Sequence, residues 1–345
     1  MIAIVEKLTE SRHHVDPMKR IRCLTLLLAI VLPTLTAAFD ADSIIKRAES
    51  TPRLHALLVL HDGEPVIEHV QAGPGLSVPV NIKSVSKTVL SALGGVAIEN
   101  GVVDDIDQPL VDLLGERVPA QAESRIGEIT FGHALSMQAG LESTSGSNYG
   151  RWVASDDWVA HALTRPMVSE PGGRMIYSTG ATHLAAAALA ETSGQSVHGL
   201  ARLWLGEPLN IRIPDWMTDP QGIHFGGNEM VMSPRALARF GELYRRGGVI
   251  NGERIIPEWW IEQSWTANGR SPWTGDDYGY GWFITEIAGK QAYYGRGYGG
   301  QALFVIPDAA LTVVITSDPT PPSRGSHFGG LRRLVADIVR QLSTG

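Results

Sequence analysis

Ser84 and Lys87 stand three residues apart in the stretch VNIKSVSKTVLSALGGVAIENG, from Val80 to Gly101. A helix advances about 300° over three residues, so both side chains fall on one face. A hydroxyl and an amine so placed can act together, the serine as nucleophile and the lysine as base. Histidine is not needed if the amine is neutral. Burial disfavours its charged form, and the positive end of a helix dipole repels it. The rest of the segment suits burial. Val85, Val89, Leu93 and Val96 form an apolar stripe, and Ala92, Gly94, Gly95 and Ala97 let neighbours come close. The plain alternatives are a serine that caps the helix and a lysine that snorkels from it. The pattern is also cheap, since Ser43-Ile44-Ile45-Lys46 repeats it. That copy falls on a short terminal helix with charged neighbours, and Ser43 reads as a helix cap.

The elements around Ser84 follow from pattern. Asp42 to Ser50 reads as a short helix. LHALLVLHDGEPVIEHV alternates around Asp62-Gly63, a hairpin signal. From about Ser84 to Gly248 the period is helical. In SPRALARFGELYRRGG, Ser233 caps, Pro234 takes the first turn and Gly247 ends the helix. THLAAAALAETSG is a second helix, ending at Gly194. Strands return at Tyr278 to Ile284, Gln301 to Pro307 and Leu311 to Ser317, and a final helix covers about Leu331 to Leu342. The expected fold class is α+β with two lobes. One antiparallel sheet is built from both chain ends and flanked by helices. An inserted helical lobe spans about residues 90–250.

The whole chain narrows the classes of function. It has 345 residues, 43% hydrophobic and 19% charged, enough for a large core. A net charge of −7 and the lack of any basic run argue against a nucleic-acid partner. Residues 1–38 read as an extension and a secretory signal. Met18 to Arg22 is a basic patch, and Leu24 to Leu32 is an apolar run too short for a comfortable membrane span. Thr36-Ala37-Ala38 offers small residues for cleavage, and Met18 is a candidate start. The expected product, residues 39–345, is periplasmic or secreted, with no stable membrane span. The single cysteine, Cys23, lies in the signal, so the product has no disulfide, cysteine nucleophile or zinc–thiolate site. No phosphate-loop motif, metal-ligand spacing or paired carboxylates stand out, so neither cofactor nor metal is expected. His133, His161, His183 and His224 are scattered, and His133 and His183 read as structural.

Several stretches, in order, resemble the serine beta-lactamase and penicillin-binding-protein superfamily. The branch resembled holds class C beta-lactamases, DD-peptidases, esterases and aminohexanoate-oligomer hydrolases. SVSK is similar to its nucleophile motif, and ITFGHALSMQAGL, Ile129 to Leu141, to the segment that follows. PGGRMIYSTG, Pro171 to Gly180, resembles the tyrosine motif, and GRGYGGQALFVIP the third motif and its strand. MSPRALARFGELYRRGGVINGERIIP resembles a helix and turn common in this branch.

The resemblance implies roles. Ser84 would form an acyl-enzyme, Lys87 would take or relay its proton, and Tyr177 would be a second general base or acid. The backbone N–H of Ser84 and one near Gly297 would form the oxyanion hole. Two departures stand out. Thr179 replaces the usual asparagine, and Tyr294 to Gly297 holds no Lys-Thr-Gly, although Arg296 can partly replace the lysine charge. Both point to a small ester, amide or peptide substrate rather than a beta-lactam. The alternative is a non-catalytic peptidoglycan- or penicillin-binding protein, or a DD-carboxypeptidase. Tyr149 and Trp152, in SNYGRW, either border the cleft or pack.

The signal reading makes a direct prediction. Mass spectrometry of the exported product should place its N-terminus near Phe39. Retention of Leu24 to Leu32 would identify a membrane anchor instead.

Overall fold

The computed structural model describes residues 39–321 and 325–343. The basic patch, the apolar run and Cys23 lie outside the described residues. The chain enters through α1 (Ala41–Glu49), whose N-cap is Asp40 and not Ser43. Ser43 supplies the backbone N–H that Asp40 accepts, and its hydroxyl bonds the Asp40 carbonyl. The hairpin of β1 (Leu54–His61) and β2 (Glu64–Val70) turns at Asp62-Gly63, with φ of +48° and +86°. Both residues are left-handed, as a two-residue hairpin turn requires. The insertion opens with α2 (Ser86–Glu99) and includes α3 (Thr179–Ser193) and the short α4 (Val197–Ala201). Helices α5 (Pro234–Arg245) and α6 (Glu258–Ser264) follow. The chain then returns to the sheet as β3 (Gly269–Arg270), β4 (Asp277–Tyr278), β5 (Phe283–Ile287), β6 (Lys290–Gly297), β7 (Gln301–Ile306) and β8 (Leu311–Ser317). Helix α7 (Gly325–Ser343) ends the description.

The eight-stranded sheet runs β2-β1-β8-β7-β6-β5-β4-β3, and its neighbours pair antiparallel. The N-terminal hairpin lies against the last strand, as expected of a sheet built from both chain ends. Its central strands are apolar on both faces, because both faces are covered. Leu57 and Val59 of β1 join Phe304, Val313 and Ile315 beneath α1 and α7. Leu58 and Leu60 join Leu303, Val305 and Val314 in the core shared with the helices. Ser233 caps α5, accepting from the Ala236 N–H at 3.1 Å, and Pro234 stands in its first turn. Placed at the end of the expected helical lobe, α5 packs on the sheet, where a Cβ at Gly241 would meet Thr312 at 2.7 Å.

The strand expected over Tyr278 to Ile284 is broken. Gly279 to Trp282 leave the ladder and turn toward α2. Thr88 Oγ1 donates to the Gly281 carbonyl and Ser91 Oγ to that of Tyr280, both at 2.7 Å. Gly281 has a φ of +75° and lies against the Lys87 carbonyl. Two side chains of α2 thus take over the pairing that the strand gives up.

Helix α2 is buried all round from Ser86 to Ala97. A helix apolar on every side belongs inside a protein. Its glycines set how close the neighbours come. A Cβ on Gly95 would sit 2.1 Å from the ring of Trp260, which is fully buried and cannot step back. Gly95→Ala should therefore lower unfolding stability by roughly 1–3 kcal/mol. Gly127→Ala is the control, in open space with an ordinary φ, and should be neutral or slightly stabilising. Urea titration of both variants tests this, and an unchanged midpoint for Gly95→Ala would refute it.

Candidate active site

Ser84 belongs to a 3₁₀ turn, Lys83–Val85, that runs straight into α2. It is not a cap: α2 has no side-chain N-cap bond. The residue before it, Lys83, has a φ of +52°. A lysine held left-handed costs roughly 1–3 kcal/mol, so its surroundings must fix it. They do. Asn81 Oδ1 accepts the Lys83 N–H at 2.8 Å, and the Lys83 ammonium meets the Glu229 carboxylate at 2.9 Å. Glu229 also accepts from the Asn81 amide. Ser86 Oγ donates to the Lys83 carbonyl at 2.5 Å and accepts the Met230 N–H at 3.2 Å. The turn thereby lifts Ser84 to the surface of a cleft while Lys87, one turn on, stays inside.

Lys87 is 2% exposed. Burial pulls its pKa down to about 7. Its Nζ has three oxygen neighbours: the Gly227 carbonyl at 2.5 Å, Ser84 Oγ at 3.1 Å and Thr179 Oγ1 at 3.4 Å. The carbonyl can only accept. Thr179 Oγ1 is also bonded to Ser145 Oγ at 2.9 Å. A neutral amine has two N–H donors and one lone pair. Giving the donors to Gly227 and Thr179 leaves the lone pair for the Ser84 hydroxyl.

Tyr177 stands just before α3, with the Lys87 Nζ 4.9 Å from its ring centroid. Tyr177 is half-buried and lines the cleft. Burial raises its pKa, and the Ser84 hydroxyl and the Arg296 charge only partly oppose that. Tyr177 is therefore a phenol at neutral pH, a proton donor. Of the two roles the resemblance implies, acid and base, this favours the acid.

Arg296 and Gly297 end β6, beside Ser84. A Cβ on Gly297 would lie 2.5 Å from the Ile82 carbonyl, and one on Gly295 2.6 Å from Thr88 Oγ1. Only glycine lets the strand run this close to the Ser84 segment. The cleft, about 350 Å³, opens between Ser84 and Tyr177 on one side and Trp273, Arg296 and Tyr298 on the other. The Arg296 guanidinium lies 4.3 Å above the Phe328 ring, and Trp273 meets Tyr177 edge-on at 6.1 Å.

The other expected residues divide. Thr179 lies at the site but is 4% exposed and faces Lys87. Trp152 is fully buried, donates to the Trp158 carbonyl at 3.0 Å and packs on Trp158, His183 and Phe225. It is core and borders no cleft. Tyr149 stacks on Phe225, and its hydroxyl accepts from Asn228 at 2.9 Å. His133 completes a capping box with Thr130, and His183 is buried against Asp219 at 3.0 Å, both structural. Sequence reading missed Ser145, Gly227 and Glu229. They lie in loops without periodicity, and only the Gly226-Gly227 pair hints at a close approach.

Comparison with known proteins gives the family and the fold. Residues 53–336 match the beta-lactamase family. The 6-aminohexanoate-dimer hydrolase of Paenarthrobacter ureafaciens is 25% identical over an alignment 314 residues long, gaps included, that covers 83% of this chain and 78% of that protein. A putative 6-aminohexanoate-dimer hydrolase from Bacillus anthracis superposes with a TM-score of 0.69 at 20% identity, over 88% of this chain and 82% of its own. EstCE1, a hydrolase with promiscuous acyltransferase activity, also gives 0.69, at 18% identity over 87% and 97%. The match covers most of the chain, and the fold agrees over most of it: this protein belongs to the beta-lactamase family of serine hydrolases.

Proposed function

We propose that this protein is an exported serine hydrolase that opens a small ester or linear amide through an acyl-enzyme on Ser84. The observation that carries the reading is the buried amine of Lys87, its lone pair left to Ser84. Ser84 Oγ attacks the substrate carbonyl carbon as its proton passes to Lys87 Nζ. The electron pair of the C=O moves to oxygen, where the Ser84 N–H and a backbone N–H near Gly297 receive it. Collapse breaks the bond to the leaving group. That group takes a proton from Tyr177, which recovers one from the Lys87 ammonium. Water then attacks the ester on Ser84, Lys87 again takes the proton, and Ser84 regains its own. The Asn81–Lys83–Glu229 set holds Ser84 in place and touches no substrate.

The lowered pKa of Lys87 sets the pH dependence. Below about 7 the ammonium dominates and cannot accept a proton; above it the neutral amine prevails. For a nitrophenyl acetate, kcat/KM should fall about tenfold per pH unit below 7 and level off above it. Lys87→Arg stays charged at every pH and should lose on the order of a hundred- to ten-thousandfold. A flat profile from pH 5.5 to 9 would remove Lys87 as the base.

The choice of substrate rests on Thr179 and on the cleft wall. The Thr179 hydroxyl is occupied by Ser145 and Lys87, so it offers little to a substrate amide. Losing a hydrogen bond to a charged group costs about 1.5–3 kcal/mol. Trp273 and Tyr298, 71% and 50% exposed, give the cleft flat apolar walls instead. A short-chain nitrophenyl ester should therefore be turned over with a higher kcat/KM than a chromogenic cephalosporin. A fluorophosphonate probe should label the wild type and not Ser84→Ala, and Ser43→Ala should label normally. Efficient cephalosporin turnover with little esterase activity would overturn the substrate reading. A wild type that takes no label would favour a non-catalytic binding protein.

A further inference from the structure

The fold gathers a second set of chemical groups far from Ser84 in sequence. His198 lies on α4, and Asp215 and His224 lie in the irregular segment that leads to Gly227. The three residues share no motif spacing, and only the fold makes them neighbours. One ligand atom from each lies within 4.8 Å of the other two. His224 Nε2 is 2.7 Å from Asp215 Oδ1, and His198 Nδ1 is 3.6 Å from the same oxygen. We propose that His198 Nδ1, Asp215 Oδ1 and His224 Nε2 bind a divalent transition-metal ion, with Zn²⁺ the best match.

Three observations support the site. The first is the tautomer of His198. Its Nε2 lies 2.9 Å from the Ile213 carbonyl, which can only accept. Nε2 therefore carries a proton, and in the neutral ring Nδ1 keeps its lone pair, on the side that faces Asp215. A backbone carbonyl that fixes a histidine in this way is the usual outer partner of a metal ligand. The second is the rigidity of His224. Its ring is 8% exposed and packs 4.9 Å from Trp216 and 5.6 Å from His198. Its Nδ1 is buried without a partner, so Asp215 is the one polar contact that orients the ring. The third is room. A hollow of about 420 Å³ opens beside His198 and Asp215, and the Asp215 side chain is 74% exposed. Arg202 and Arg212 line the same hollow. The remaining coordination position therefore suits a water or a small anion.

Two imidazoles and one carboxylate select zinc and its neighbours over calcium or magnesium, which favour oxygen alone. Bonds of about 2.0–2.2 Å need the Asp215 carboxylate to swing off His224 and the two imidazoles to close on the ion. A neutral His224 bound through Nε2 carries its ring proton on Nδ1, so the proton now facing Asp215 is relocated within the ring and not lost. The ion would tie α4 to the segment that ends in the Gly227 carbonyl, the acceptor for Lys87. This is a stabilising clip and takes no part in the reaction at Ser84.

The alternative is a plain histidine–carboxylate–histidine contact with no ion. Calorimetric titration of the chelator-treated full chain with Zn²⁺ separates the two. One ion per chain should bind in the micromolar range. His198→Ala and Asp215→Ala, both at partly or fully exposed positions, should each weaken binding at least tenfold while circular dichroism stays native. Co²⁺ in place of zinc should give visible absorption bands in the wild type that both variants lose. A wild-type Kd weaker than about 1 mM, or less than a tenfold loss in either variant, overturns the proposal.

Discussion

The site depends on keeping water away from one amine. In solution Lys87 would be an ammonium and useless as a base at neutral pH. Inside the protein, with the Gly227 carbonyl, Thr179 and Ser84 as its polar neighbours, it titrates near 7. That shift comes from burial, not from a neighbouring charge. It therefore survives only while α2 remains enclosed. The apolar face of the sheet, the Trp260 ring against Gly95 and the return of Gly279 to Trp282 all serve that enclosure. Stability and chemistry are coupled here, because a gap that admitted water beside Lys87 would restore its charge.

The second constraint is contact between pieces of chain remote in sequence. Ser84 must face outward within three residues of a buried lysine, and the left-handed Lys83 makes that turn. Its strain is offset by groups from Gly226 to Met230, the same loop whose Gly227 carbonyl orients the amine. Ser84 and Lys87 are thus registered by one loop. From the other side β6 comes close because Gly295 and Gly297 have no side chains, which brings Arg296 and the strand's end to the cleft. A side chain larger than hydrogen at either position would separate strand and turn.

Much of this was legible in the sequence. The hairpin at Asp62-Gly63, the Ser233–Pro234 helix start and the strand of Leu311 to Ser317 carry strong local signals, and each stands where its residues placed it. Ordered motifs point to Ser84, Lys87 and Tyr177, and the fold makes the three neighbours. What the sequence hid depends on tertiary contact. The strand pattern of Tyr278 to Ile284 gave no warning that α2 would draw four residues out of the ladder. Trp152 looks like a loop aromatic at a cleft, yet four aromatic rings enclose it. Asn81, Ser145 and Glu229 act through side-chain bonds between segments up to 148 residues apart, and no local pattern records such bonds.

Thr179 shows how one replacement redirects such a site. An asparagine there would hold two donors and a carbonyl at the end of a longer arm, enough to serve both the lysine and a substrate. Threonine has one hydroxyl. Here it lies between Ser145 and Lys87, and its backbone N–H is taken by Ser145 as well. The polar capacity at this end of α3 is thus turned inward, to fix the amine. Recognition of the acyl group then falls to the cleft's other walls, the Trp273 and Tyr298 rings and the single charge of Arg296. Flat rings discriminate by shape and apolar area, and far less by hydrogen-bond pattern. The replacement leaves Ser84 paired with Lys87 and takes away only polar contact that the cleft could offer.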